Sequence, residues 1–74
     1  RAQPIETATD QNYATFFAGV LRDPSNLDLS FRFAEAATQR NDFEAAIGAL
    51  ERILFYNPNL PRVRLDLGLL YFRL

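Results

Sequence analysis

The chain has 74 residues, 49% hydrophobic and 23% charged, with a formal net charge of -1; that describes one globular domain with a thin core, since a domain near this size buries only about 60% of the surface its unfolded chain exposes. Such a charge balance provides no clustered positive field for nucleic acid or anionic lipid. Histidine and cysteine are both absent, which removes the usual metal ligands, general bases, thiols and disulfides, and leaves cytoplasm and periplasm equally open as compartments.

Residues 1–9 read as an N-terminal extension or linker, without the apolar core of a signal peptide. The chain opens at Arg1 without methionine and stops at Leu74 inside an unfinished helical pattern, so a piece of a longer protein is expected. Residues 10–22 place Tyr13, Phe16, Phe17, Val20 and Leu21 on one helical face, with Thr9 or Asp10 available as a cap. This first helix is expected to stop before Pro24, because proline disfavours helical geometry in the residue preceding it.

Ser25 followed by Asp28 has capping-box spacing and opens a second helix running to about Arg40, with Phe33, Ala34 and Ala37 on its inner face. Asn41-Asp42 breaks that helix and caps a third, in which Phe43, Ala46, Ile47, Leu50, Ile53 and Leu54 follow the 3.6-residue period up to about Tyr56. Pro61 suits the first turn of a fourth helix, and Leu65 to Leu74 continues it with apolar residues nearly all round. The longest apolar run, Leu67 to Phe72, is far short of the roughly 18 residues of a membrane span. No strand alternation competes, so the predicted class is all-α, built of about four helices joined by short connections as antiparallel hairpins.

Pro24 and Pro58 lie 34 residues apart in similar settings, and 34 is a repeat period. Phe33-Ala34, then Ala46 with Leu50, the turn Asn41-Asp42-Phe43 and the closing Pro58 resemble one complete tetratricopeptide unit over residues 27–60. Leu67-Gly68 with Tyr71 resembles the first helix of a following unit, residues 61–74, and Phe16 with Pro24 resembles the degenerate second half of a preceding one, residues 10–26. Ser30 and Arg64 depart from the pattern where it has a large residue, Ala37 where it has an aromatic, and Asn12 where it has alanine. The resemblance implies a right-handed solenoid in which Ala34, Ala46 and Gly68 let helix backbones approach while Phe33, Leu50 and Leu67 fill the gaps.

It also implies a function in protein binding, through a concave face formed by the second and fourth helices. The candidate partner-binding residues are Phe31, Glu35, Thr38, Arg62, Leu65, Asp66, Leu69, Phe72 and Arg73. Capture of a C-terminal carboxylate, known for part of that family, is not implied, because Phe31, Glu35 and Asp66 stand at slots that would need donors. Arg62, Arg64 and Arg73 recur along the fourth helix, at a spacing by which a partner carboxylate could be bridged bidentately, but a solvated face is the expected account of them. Leu65, Leu69 and Phe72 suit packing against further chain, a second copy or a ligand. Two other readings follow: a homo-oligomerising module using the apolar fourth helix, and an accessory repeat domain of a larger bacterial envelope protein, the all-arginine basic set being a trace of GC-rich coding. Glu44, Glu51, Arg40 and Arg52 read as ordinary helix-surface charges. Asp42 and Glu44 have neither pocket nor nucleophile beside them, so no enzyme, cofactor or metal site is expected.

Overall fold

The computed structural model describes the backbone of residues 8–74 and the side chains from Asn12 onward. These residues form four α-helices and no strand: α1 (Ala8–Arg22), α2 (Leu27–Gln39), α3 (Phe43–Tyr56) and α4 (Pro61–Arg73). The all-α class read from the sequence is therefore correct. Helix α1 is already helical at Ala8, so Thr9 and Asp10 stand within it rather than cap it, and the remainder of the expected extension lies outside the described residues.

Each helix packs on its neighbours in sequence, α1 on α2, α2 on α3 and α3 on α4, and among the described residues no other pair of helices makes backbone contact. One continuous apolar core runs through the row. It joins Val20 of α1, Phe33, Ala34 and Ala37 of α2, Ala46, Ile47, Ala49, Leu50 and Ile53 of α3, and Val63, Leu67 and Leu70 of α4. Alanines at the α2 and α3 positions keep side-chain volume small where the chain packs most extensively. The predicted inner face of α1 is only partly realised: Val20 is buried, Tyr13 and Phe16 are half-buried, Phe17 is 46% exposed with its ring against Tyr13 and Phe33, and Leu21 lies largely in solvent.

The caps differ in one place from the capping-box reading. Asn26, not Ser25, caps α2 by accepting the Leu29 N–H at 3.3 Å, while the Ser25 hydroxyl donates to Asp23 at 3.4 Å. Helix α2 ends on a Schellman arrangement: the Asp42 N–H donates to the Ala37 carbonyl at 2.8 Å and the Asn41 N–H to that of Thr38 at 3.0 Å. Asn41 takes the left-handed conformation this needs (φ 63°), which asparagine tolerates better than most residues. Asp42 then caps α3 through the Ala45 N–H at 3.2 Å. Three residues thus close one helix and open the next, and the tight turn forces α2 and α3 side by side.

Gly68 corrects another expectation. A Cβ built there meets nothing within 4 Å, so this glycine is not what lets α4 approach α3; Val63, Leu67 and Leu70 make that contact instead.

Candidate functional site

Because α2 and α4 flank α3 without touching each other, an open groove of about 630 Å³ runs between them. From α2 it is lined by Asp28, Phe31, Arg32, Ala34, Glu35, Thr38 and Gln39; from α4 by Asp66, Leu69, Leu70 and Arg73; and Leu50 of α3 contributes to the lining between them. Its apolar part is accessible, with Phe31 40% and Leu69 57% exposed.

Of the residues expected on this face, Phe31, Glu35, Thr38, Asp66, Leu69 and Arg73 line the groove together. Arg62, Leu65 and Phe72 do not. Arg62 is exposed and holds Asp66 at 3.4 Å, a contact along α4 itself, while Leu65 and Phe72 project into solvent, Phe72 at 91% exposure. Thr38 is half-buried and donates its hydroxyl to the Ala34 carbonyl at 2.8 Å, which leaves it an acceptor but no free proton.

Asp28, Arg32 and Gln39 also line the groove, and the sequence reading passed over them although they stand three or four residues from Phe31 and Glu35 on the same helical stripe. Leu50 was assigned to the core alone and Leu70 was not singled out, since no one-dimensional pattern shows that a core residue is also reached from outside.

The charges in the groove are largely satisfied within their own helices. Asp28 holds Arg32 at 3.0 Å and Asp66 is held by Arg62, both exposed pairs of modest energetic weight. Arg73 lies over the Phe43 ring, 4.8 Å from its centre. The three arginines of α4 therefore do not converge on one anion, because Arg64 donates instead to the Pro58 carbonyl at 2.9 Å. A bidentate carboxylate clamp is absent among the described residues of α4.

Two charges read from the sequence as plain surface have tertiary partners. Arg40 sits over the Tyr13 ring, 4.0 Å from its centre, and Glu51 accepts the Tyr71 hydroxyl. Tyr13 also stacks with Phe17 and Phe33 and donates its hydroxyl to Asp42 at 3.1 Å. Burial, followed by the Asp42 hydrogen bond and charge, raises the Tyr13 phenol above its ordinary value of 10.0, with the Arg40 charge opposing. Tyr71 is raised chiefly by its hydrogen bond to Glu51.

A raised phenol holds its proton more tightly in the folded than in the unfolded chain, so its contribution is fully present below about pH 10 and is lost as pH rises through the folded value. Urea midpoints measured from about pH 8 upward are expected to decline only above about pH 10, and Tyr13→Phe to flatten that decline. A decline that Tyr13→Phe leaves unaltered would detach this tyrosine from the alkaline transition.

No described helix is long and apolar enough to cross a membrane. Comparison with family models, with curated proteins and with solved structures finds no match for the chain.

Proposed function

We propose that the chain is a protein-interaction module whose groove between α2 and α4 receives a peptide or helix of a partner protein. The observation that carries the reading is the groove itself: an open apolar trough whose two walls stand on separate helices, with Phe31 on one side and Leu69 on the other, above Leu50. An amphipathic helix laid into such a trough buries one apolar stripe and leaves its polar face in water. The tetratricopeptide resemblance, with its concave binding face, supports the same assignment by analogy.

Panning the chain against a displayed library of helical peptides tests this. Binders are expected, and Phe31→Ala with Leu69→Ala is expected to weaken them by about tenfold or more, because buried aromatic and aliphatic anchors carry much of the binding energy at such surfaces. Both side chains are exposed, so circular dichroism and melting temperature should hardly change. Binders indifferent to both substitutions would remove the groove from the account.

Self-association is the second reading, favoured by the exposure of Leu65 and Phe72 on α4 and of Leu74 just after it. Sedimentation equilibrium over a wide concentration range distinguishes the two. A dimer abolished by Phe72→Asp assigns the surface to a second copy, and a monomer at all concentrations withdraws the reading.

A further inference from the structure

Of the charged side chains that line the groove, all but one are already engaged. Asp28 and Arg32 hold each other, Asp66 is held by Arg62, and Arg73 lies over the Phe43 ring. The Glu35 carboxylate alone has neither hydrogen bond nor ion pair among the described residues, and it stands exposed in water.

Its surroundings in the groove are apolar. Phe31 lies one turn before it on the same stripe of α2. Glu35 adjoins Ala34, Leu69 adjoins Leu70, and Ala34 and Leu70 line the groove together with Leu50, so the carboxylate and the leucine rise from the same stretch of floor. A side chain entering there meets Phe31 and Leu69 along its length and an anion at its tip. Lysine and arginine suit both features, since each lays its methylene stem on apolar surface while its charged head reaches outward.

Other side chains fail for a physical reason. An occupant that covers the groove strips water from Glu35, and a carboxylate that loses water without gaining a partner costs far more than an exposed ion pair contributes. An acidic side chain adds repulsion to that cost, and an apolar one leaves it unanswered. The backbone of the occupant is restricted too. The floor of Ala34, Leu50 and Leu70 offers no side-chain hydrogen bond to a chain laid upon it. A helix arrives with its backbone groups paired, whereas an extended segment brings them bare.

We infer, taking the groove as the binding site proposed above, that its occupant is an amphipathic helix of another protein whose apolar stripe is interrupted at the centre by a lysine or arginine paired with Glu35. A second copy lacks that pattern on its most apolar exposed face, because Leu65, Gly68, Leu69 and Phe72 of α4 run without a basic residue among them. Glu35 thus makes the groove selective for basic helices and against acidic ones.

The test pans the chain against displayed helical peptides in which the residues of one stripe are randomised. Binders are expected to carry lysine or arginine at the centre of that stripe. Glu35→Gln is expected to weaken them about fivefold and to remove most of their sensitivity to sodium chloride, which screens the pair in the unsubstituted chain. Glu35→Arg should reverse the preference, so that a peptide with glutamate in place of its central cation binds the variant better than the original peptide does. Residue 35 is exposed and glutamine is as good a helix former as glutamate, so the melting temperature of Glu35→Gln should hardly move. Binders with acidic or uncharged centres would overturn the inference. Binders that respond to Phe31→Ala but not to Glu35→Gln would overturn it and leave the groove as the site, whereas a library without binders would remove both. Self-association of the chain that Glu35→Gln abolishes would overturn it as well, by giving the groove to a second copy.

Discussion

Ala46→Leu is expected to destabilise the fold by about 3 kcal/mol, the upper end of the usual cost of overpacking a close-packed core. Ala46 has no exposed surface and stands in the core cluster with Phe33, Ala34 and Ala37 of α2 and with Ala49, Leu50 and Ile53 of its own helix. A leucine adds three carbons at a point where both helices supply alanines, so either the helices separate or the new side chain leaves its preferred rotamer. For a domain this small each kcal/mol corresponds to about 4–8 °C in Tm, and the expected fall is therefore roughly 12 °C or more. Thermal unfolding followed by circular dichroism reads it directly. An unchanged Tm would show that residue 46 does not lie in the α2–α3 contact, and with it the 34-residue register would fail.

Asp42→Ala is expected to cost about 2 kcal/mol, from two separate losses. Its carboxylate accepts the Ala45 N–H, capping α3, and also accepts the Tyr13 hydroxyl from α1. Removing a cap of this type costs typically about 1 kcal/mol, and a side-chain hydrogen bond of ordinary strength contributes about as much again. Asp42→Asn keeps a capping oxygen and should recover about half the loss. The double substitution with Tyr13→Phe separates the components: a coupling energy near zero would mean that the Tyr13 bond adds nothing, leaving Asp42 as a cap alone.

Asp42 also shows how far the sequence could be read. Its role at the α2–α3 break was legible because the turn chemistry is local: Asn41 in the left-handed region and Asp42 at the N-cap are preferences of single residues. The partnership with Tyr13, 29 residues away, was not, since a tyrosine on an apolar stripe carries no mark of which carboxylate it will meet. The order of helices and the buried faces of α2 and α3 followed from 3.6-residue spacing. Helix α1 misled at its edge, because Leu21 completes a stripe but lies mostly in water and Phe17 is only partly covered by Phe33: the apolar face there is wider than the surface α2 can cover.

For the groove, the family resemblance implied the outward residues of α2 and α4, and of these Phe31, Glu35, Thr38, Asp66, Leu69 and Arg73 line it. Arg62, Leu65 and Phe72 were implied in the same way and do not, since the resemblance fixes which helices form the trough and not its width, which α3 sets between α2 and α4. Gly68 was recognised as a small residue meant for close approach, yet the approach is not made by α3.

The neighbour-only packing of the helices has a kinetic corollary. Nearly all tertiary contacts join elements adjacent in sequence, so little loop-closure entropy stands between the unfolded chain and any one interface, and such low contact order belongs to chains that fold in microseconds to milliseconds. Opening should likewise proceed from the ends. Amides of α1 and α4, each supported by one neighbour, are expected to exchange with solvent sooner than those at the α2–α3 junction, which is held from both sides.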